Sequence, residues 1–213
     1  MKIYPEMIQG SEEWLRARKG RLTASQMAKV ITATGKLSAQ WEKLAIKLAA
    51  ECVKPEELPA FIGNIHTDRG HELEPVARDW FTSWSGLDVR CVGFVTKEGN
   101  PVLGCSPDAL IYQGKRPVAG LEIKCPLVET HALYHYEGQL PEAYRAQVHG
   151  SMAVTGLKSW WFMSYNEGTE PFTKLIEWDS YTDKVAEALD EFVIKYSEIR
   201  SSVISKLIGK EAA

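Results

Sequence analysis

The chain has 213 residues, of which 45% are hydrophobic and 25% charged, and its formal net charge is −3. This length favours a single domain over residues 1–213, large enough to bury roughly 70% of the surface that the unfolded chain exposes. No apolar run approaches the ~20 residues of a membrane span, and the first residues lack the apolar core of a signal peptide. We therefore expect a soluble, cytoplasmic protein with no membrane partner.

Basic residues are concentrated in the N-terminal part of the chain. Residues 1–50 contain nine Lys or Arg and four Glu, whereas the rest of the chain contains sixteen basic and twenty-four acidic side chains. This distribution fits a local track for DNA, although ordinary solvated charge explains it equally well. The four cysteines lack paired Cys-x-x-Cys spacing, which argues against a zinc ribbon and favours reduced, mostly buried thiols.

Two helices are predicted in the basic N-terminal segment. The first covers 11–19, and the second, opened by the capping box Thr23-x-x-Gln26, covers 24–31. Ser25 would lie in the first turn of the second helix, where free backbone N–H groups favour a phosphate, and Arg18 comes shortly before it. On these residues alone, phosphate binding and an ordinary helix start are equally good interpretations.

Helices are also predicted over 38–52 and 66–84, on either side of an irregular segment over 54–64. The later helix carries an apolar stripe at helical spacing and ends at Gly86. Glu74 lies on one border of that stripe and Glu72 on the other. Periodicity therefore leaves both acids open as candidates for a site, with a slight preference for Glu74.

A β-hairpin follows and carries two carboxylates and an ammonium. Strands are predicted over 89–97, 102–106, 109–112 and 118–124, which together would make an antiparallel run. If the hairpin turn centres near Lys115, Asp108 and Glu122 fall roughly opposite each other. Side chains alternate along a strand, so Glu122 and Lys124 point to the same face.

This group of side chains suits phosphodiester chemistry with a divalent metal. Mg²⁺ prefers oxygen ligands, and one or two carboxylates with waters and phosphate oxygens are enough for it. The metal would activate a water, and a lysine beside it would orient that water or offset developing charge. A surface hairpin with a cross-strand acid and a solvated lysine fits the spacing equally well.

The remaining elements complete an α/β pattern. Helices are predicted over 130–136, 141–156 and from 180 onwards, and strands over 160–165 and 173–178. We therefore predict an α/β domain with a central mixed β-sheet flanked by helices. His131 and His135 are one helical turn apart, as in some zinc sites, but no third ligand accompanies them, which argues against a metal role.

Four segments in fixed order resemble one family. Ser106-Pro107-Asp108 followed by Leu121-Glu122-Ile123-Lys124-Cys125-Pro126 resembles the signature of the lambda exonuclease, or YqaJ-type viral recombinase, branch of the PD-(D/E)XK nucleases. The segment from Trp14 to Ser25, Gly70-His-Glu-Leu-Glu74, and the segment from Ala143 to Met152 resemble its other motifs.

The resemblance implies a restriction-endonuclease-like core and a Mg²⁺-dependent exodeoxyribonuclease for which Mn²⁺ can substitute. Such an enzyme digests duplex DNA 5′-to-3′ from its ends and leaves a 3′ overhang for phage-type recombination. The implied metal ligands are Asp108, Glu122 and the Ile123 carbonyl. The other implied catalytic residues are Glu74, Lys124 and Gln147, and the implied DNA contacts are Arg18, Ser25 and Ser106.

The same resemblance implies a ring-shaped homotrimer around DNA and a single-strand annealing protein as partner. One position departs from a related pattern: helicase-associated nucleases have a Tyr four residues after the glutamine, where this chain has Ser151. Two alternatives remain open. One is a PD-(D/E)XK endonuclease that cuts internally, and the other is a non-catalytic module that binds DNA ends.

Overall fold

The computed structural model describes residues 1–55 and 65–209, with no account of the side chains at 65–68 and 71. The strands are β1 (Lys2–Tyr4), β2 (Leu22–Thr23), β3 (Asp88–Arg90), β4 (Phe94–Lys97), β5 (Asn100–Cys105), β6 (Ala109–Gln113), β7 (Arg116–Lys124), β8 (Ser159–Ser164) and β9 (Phe172–Glu177). The helices are α1 (Glu12–Arg18), α2 (Trp41–Val53), α3 (Ile65–Ser85), α4 (Val128–Glu137), α5 (Glu142–Thr155) and α6 (Ser180–Ile208), and a 3-10 helix covers Ala24–Lys29. Most of the predicted irregular segment over 54–64 lies outside the described residues.

The strands form two mixed sheets. One has the order β1-β4-β5-β2, and the other, which we call the hairpin sheet, has the order β3-β6-β7-β8-β9. Each sheet contains one parallel pair, β2 with β5 and β7 with β8, among antiparallel neighbours. The predicted α/β class with mixed strands is therefore confirmed, while the single central sheet is replaced by two.

The predicted strand over 89–97 is wrong as one element, because it divides into β3 and β4 in different sheets. β3 pairs with β6, whereas β4 pairs with β1 and β5. The break comes at Gly93, whose N–H donates to the Tyr4 carbonyl and whose backbone packs against Met7. A Cβ at Gly93 would lie 1.9 Å from the Met7 carbonyl oxygen, so the approach requires glycine.

The hairpin between β6 and β7 forms with the predicted opposition of its acidic residues. Its turn is Gly114-Lys115, and a register shift between Ile111 and Tyr112 follows towards the far end. Beyond the shift Ala109 lies opposite Leu121, so the next positions, Asp108 and Glu122, face each other. The turn is centred half a residue before Lys115, the predicted centre. The register shift restores the pairing of Asp108 with Glu122 that a turn centred on Lys115 would give.

The predicted helix over 24–31 is a shorter 3-10 helix. Its buried residues Ala24 and Met27 are three apart, a spacing that a 3-10 helix brings onto one line. The predicted capping box forms: the Thr23 side chain accepts from the Gln26 N–H, and Gln26 Oε1 accepts a hydrogen bond from the Thr23 N–H at 3.1 Å. Two elements were missed, β1 and β2, which are only three and two residues long.

Two apolar clusters cover opposite faces of the hairpin sheet. On one face Ala77 and Phe81 of α3 pack with Leu121 and Ile123 of β7. On the other face the larger cluster joins α2, α5 and α6 to β8 and to the first sheet. Because side chains alternate, the charged residues of β7, Glu122 and Lys124, lie on the face that α5 covers.

The cysteines and the two histidines of α4 lie in different surroundings. Cys105 is buried, but Cys52 and Cys91 are exposed, so the expectation of mostly buried thiols is wrong. The rings of His131 and His135 both contact the Glu170 carbonyl oxygen, at 3.0 and 2.8 Å, and thereby attach α4 to the segment before β9. None of the described helices is both long and apolar enough to cross a membrane.

Candidate active site

Asp108 and Glu122 lie side by side where β6 and β7 end. Asp108 Oδ2 accepts a hydrogen bond from the Ile123 N–H at 2.5 Å, and the Asp108 N–H donates to the Leu121 carbonyl at 3.1 Å. Burial, and then the negative charge of Glu122, raise the pKa of Asp108 well above its ordinary range. Two carboxylates are thus held together in a partly dry site, an arrangement that favours an added cation.

Glu122 is almost completely buried, with 2% of its surface exposed. Its Oε1 atom accepts hydrogen bonds from Lys124 Nζ and from Gln147 Nε2, the latter at 2.5 Å. Gln147 comes from α5, so the helix predicted from the third quarter of the chain does reach the hairpin. The structure therefore brings Glu122, Lys124 and Gln147 into direct contact.

Lys124 joins this buried charge cluster. Burial alone would lower the pKa of Lys124, but the charges of Glu122 and Asp108 together outweigh burial and raise that pKa above its ordinary range. The Lys124 ammonium also lies 5.2 Å from the centre of the Tyr144 ring, within cation–π distance. Lys124 is therefore held as a cation between carboxylates and an aromatic face.

A cleft of about 470 Å³ opens over this cluster, and α3 contributes Glu74 to its wall. The carboxylate of Glu74 is paired with the guanidinium of Arg78 one helical turn later. Glu72 is exposed. Of the two acids that periodicity left open, Glu74 is the one that lines the cleft with Asp108 and Lys124.

The donor set of the cleft fits a hard divalent cation with few protein ligands. Asp108 and Ile123 lie in the cleft wall, and the buried Glu122 beside Asp108 supplies a second carboxylate, which leaves other positions for water and phosphate, as Mg²⁺ prefers. Among the side chains that the structure describes, no three from Asp, Glu, His or Cys converge closely enough to hold a metal between them. The arrangement therefore suits a site completed by substrate rather than a closed structural metal site.

A second cationic group lies around Arg18. Its guanidinium contacts three hydroxyl groups, Ser106 Oγ at 2.9 Å, Ser25 Oγ at 3.2 Å and Thr23 Oγ1 at 3.3 Å. The guanidinium stacks on the Trp14 ring, 4.2 Å from its centre, and burial lowers the pKa of Arg18 to about 10. It stays protonated at neutral pH.

The structure brings together Arg18, Ser25 and Ser106, the three predicted DNA contacts. The predicted α-helix start with free backbone N–H groups at Ser25 does not form. The 3-10 helix after Thr23 is too short to present an N-terminal phosphate site, and the polar groups beside Arg18 are hydroxyls instead. No carboxylate in the described part of the chain pairs with Arg18. Because Ser106 precedes Asp108 by two residues, the group formed by Arg18 and these hydroxyls adjoins the carboxylates.

Comparison with known proteins places the chain in a family. A model of the YqaJ-like viral recombinase domain matches residues 13–158. The chain belongs to this family. Its structure is similar to that of LHK-Exo, an alkaline exonuclease from Laribacter hongkongensis. For the LHK-Exo complex with dAMP, the sequence identity is 28% and the TM-score is 0.72. The match covers 92% of this chain and 99% of LHK-Exo.

A phage-related exonuclease from Haemophilus somnus 129PT shares the fold of this YqaJ-like chain, with 18% identity, a TM-score of 0.62, and coverage of 88% of this chain and 96% of that one. A search of curated proteins gives no significant match. The predicted family and fold class are therefore confirmed.

Sequence reasoning missed three residues of this YqaJ-like site, namely Trp14, Arg78 and Tyr144. Arg78 follows Glu74 by four positions, and an acid–base pair at this spacing on a helix is a readable signal. Trp14 and Tyr144 lie inside segments that carried the resemblance, but their contacts are with residues distant in sequence. Tyr144 lines the cleft three residues before Gln147, whereas Ser151, four residues after it, is buried in α5.

Proposed function

We propose that this YqaJ-like protein is a metal-dependent exodeoxyribonuclease that digests duplex DNA 5′-to-3′ from its ends and leaves a 3′ overhang. One observation carries the proposal: a buried carboxylate pair with a lysine adjoins a separate anion-binding group at Arg18. The first suits phosphodiester cleavage and the second suits capture of a strand end. LHK-Exo is an alkaline exonuclease solved with dAMP, a deoxynucleoside monophosphate of the kind that this reaction would release.

Asp108, Glu122 and the Ile123 carbonyl would hold Mg²⁺, with Glu74 nearby, and Mn²⁺ would substitute for it. When bound, the metal would lower the pKa of a coordinated water and neutralise charge on the attacked phosphate. The Lys124 ammonium donates hydrogen bonds and can orient the nucleophilic water or stabilise the transition state. Gln147, which donates to Glu122, holds that carboxylate in place and helps to order the site.

The anion-binding group at Arg18 is the basis for the proposed 5′-to-3′ direction of digestion. A guanidinium grips phosphate through two parallel hydrogen bonds, and the Ser25 and Ser106 hydroxyls add further donors. A terminal 5′-phosphate held there would bring the adjoining linkage towards Asp108. Digestion from that end leaves the other strand as a 3′ overhang.

The proposed partners are double-stranded DNA ends, two further copies in a ring-shaped homotrimer, and a single-strand annealing protein of the phage-recombination type. The trimer and the annealing protein rest on the family resemblance alone. Sedimentation of the purified protein with and without duplex DNA measures whether it forms a trimer.

The test of the proposed function is digestion of linear and covalently closed circular duplexes with Mg²⁺ and with excess chelator. We expect mononucleotides and 3′ single strands from linear DNA, intact circles, and no cleavage without metal. Cutting of circles would favour the endonuclease alternative, and intact linear DNA with bound ends would favour the non-catalytic module. Undiminished cleavage in chelator would contradict the metal mechanism.

Replacing Arg18 with alanine should reduce the preference for phosphorylated ends. We expect the wild-type protein to digest 5′-phosphorylated duplex about 10–100-fold faster than 5′-hydroxyl duplex, because charge-assisted hydrogen bonds contribute about 1.5–3 kcal/mol. Arg18→Ala should bring the two initial rates close together. Arg16→Ala is the control, since Arg16 lies on the same helix, is exposed and pairs with Glu12. An unchanged rate ratio in Arg18→Ala would count against the anion-binding group.

Tyr144 should act through its ring rather than its hydroxyl. Tyr144→Phe keeps the aromatic face under Lys124, so we expect a kcat within about threefold of wild type. Tyr144→Leu removes that face, and a cation–π contact of this kind predicts a fall in kcat of about 3–30-fold with little change in KM. Steady-state kinetics on phosphorylated duplex measure both constants. Equal losses in the two variants would contradict this assignment.

A further inference from the structure

A cleft of about 490 Å³ lies in the basic N-terminal part of the chain and shares no residue with the cleft over Asp108. Its walls come from the end of the 3-10 helix and from the first half of α2 with the residue before that helix. We call it the lysine cleft, and its residues are Lys29, Gln40, Lys43, Leu44, Ile46 and Lys47. The function proposed above assigns no role to any of them.

Helical spacing brings two of the lysines and an apolar side chain onto one face of α2. Lys43, Ile46 and Lys47 are three and four residues apart, so they are neighbours on the helix surface. Ile46 is 47% exposed, although it is a large apolar residue, and the buried Leu44 lines the same cleft. The cleft therefore combines apolar surface with ammonium groups, and the methylene chains of the lysines extend the apolar part.

The lysines of this cleft lack the carboxylate partners that other cations on the surface have. Lys195, for example, pairs with Glu191 one helical turn away. In the described part of the chain, neither Lys29 nor Lys43 forms an ion pair with an acidic side chain. The chain as a whole has a net charge of −3, so lysines that converge without acids concentrate positive potential at this cleft.

The acid that approaches the third lysine is engaged elsewhere. Glu51 Oε1 lies 3.9 Å from Lys47 Nζ, but Glu51 is buried and its Oε2 accepts a hydrogen bond from the Gly20 N–H at 3.0 Å. Glu51 is not among the residues that line the cleft. A contact of this length with an exposed lysine neutralises little charge, so three cations remain for a ligand.

We propose that the lysine cleft binds an acidic segment of a partner protein. Carboxylates of the segment pair with the three lysines, and a large apolar side chain of the segment packs against Leu44 and Ile46. Charge complementarity selects the acids, and the exposed apolar surface among the lysines selects the apolar residue. This inference is independent of the proposed exonuclease function.

A nucleic-acid backbone fits the same cleft less well. Phosphates are bound by cations and hydrogen-bond donors, and such contacts leave the exposed surface of Ile46 without a use. Arginine, whose planar fork suits phosphate best, is absent from the residues that line the cleft. The cleft volume lies within the range of about 300–1,000 Å³ that is typical of enclosed ligand sites, which suits a few side chains rather than a duplex.

The experiment measures fluorescence anisotropy of labelled peptides with the full chain at low ionic strength. The probe has three aspartates followed by leucine and phenylalanine. One control peptide has asparagines in place of the aspartates, and the other has serines in place of the two apolar residues. We expect each control to bind at least about tenfold more weakly, because ion pairs at low salt and burial of a large apolar side chain each contribute about that much.

Variants of the chain locate the binding. Lys43→Glu and Ile46→Ser, both at exposed positions, should each weaken binding of the probe about tenfold. Lys115→Glu is the matched control, because Lys115 is an exposed lysine at the hairpin tip and does not line the cleft. The double variant Lys29→Glu/Lys43→Glu should bind a peptide with three lysines in place of the aspartates more tightly than wild type does. That reversal follows from paired charges and not from a loss of folding.

Equal affinity of wild type for the aspartate and asparagine peptides, or binding of neither, overturns the proposal. So does a probe affinity that is unchanged in Lys43→Glu. If Lys43→Glu instead weakens duplex binding in Ca²⁺ about tenfold and the probe does not bind, the cleft contacts DNA. If Ile46→Ser changes the sedimentation coefficient and the probe does not bind, the cleft is an interface between copies. Digestion of linear duplex by Lys43→Glu should stay within about twofold of wild type, and a wild type without nuclease activity overturns the proposed function alone.

Discussion

Asp108→Asn and Glu122→Gln should each lower cleavage about a hundredfold or more, yet shift the protein's stability in opposite directions. Either change removes a carboxylate from a site that has few, and metal-ion catalysis contributes several kcal/mol of transition-state stabilisation. The two acids differ in their surroundings. Asp108 accepts a backbone N–H beside another carboxylate, whereas Glu122 accepts hydrogen bonds from Lys124 and Gln147.

The Asp108→Asn substitution would relieve a destabilising charge. Burial and Glu122 raise the pKa of Asp108, so ionising this carboxyl costs more in the folded than in the unfolded chain. Its contribution to stability is fully present below the unfolded pKa of ~3.9 and is lost as the pH rises through the folded pKa. In chelator, Asp108→Asn should therefore unfold at the same temperature as wild type near pH 4 and at a higher temperature at pH 8.

The Glu122→Gln substitution should destabilise the protein, because a neutral amide accepts less well from a buried ammonium. We expect a loss of about 1–3 kcal/mol in the free energy of unfolding, which for a chain of this size lowers Tm by about 2–4 °C per kcal/mol. Thermal unfolding in chelator measures both variants. Glu72→Gln is the control, because Glu72 is exposed on the same helix as Glu74.

Addition of Mg²⁺ provides a readout independent of activity. A cation that binds only the folded state stabilises it by mass action, so Mg²⁺ should raise the Tm of wild type and of Glu72→Gln. It should raise the Tm of Asp108→Asn and Glu122→Gln much less. A full Mg²⁺ response in either variant would show that its carboxylate is not a metal ligand.

The position of the acidic hairpin could be predicted from sequence because local rules determine it. The turn at Gly114 places Asp108 opposite Glu122, and alternation along β7 places Lys124 on the same face as Glu122. The division of 89–97 between two sheets could not be predicted, since it depends on Gly93 packing against Met7 from a distant segment. Local rules also give no register between segments far apart in the chain.

The same distinction applies within the candidate site. Periodicity left Glu72 and Glu74 almost equal, and only the packing of α3 on the hairpin sheet turns Glu74 to the cleft. The hydroxyls around Arg18 come from β2, the 3-10 helix and the segment after β5, so no short motif contains them. Family resemblance pointed to Arg18, Ser25 and Ser106, though not to Thr23, because it records a tertiary arrangement that spacing does not.

Lys124→Ala should reduce turnover at least about tenfold while leaving DNA affinity, measured with Ca²⁺ in place of Mg²⁺, within about threefold of wild type. The ammonium faces the cleft, and the neighbouring carboxylates keep it charged, so it acts as a hydrogen-bond donor and a positive charge rather than as a base. A charged lysine has no free lone pair and is not a metal ligand. Its removal should therefore affect kcat and spare binding.

Two variants separate charge from packing. Lys124→Met retains an unbranched chain against Tyr144 but no charge, so we expect it to be as slow as Lys124→Ala and closer to wild type in Tm. Lys115→Ala removes an exposed lysine from the tip of the same hairpin and should leave kcat unchanged. Both Lys124 variants leave Glu122 buried with Gln147 as its remaining donor, so rates must be compared well below each Tm. If either folded variant kept more than a tenth of wild-type turnover, a loss under ~1.4 kcal/mol, Lys124 would have no catalytic role.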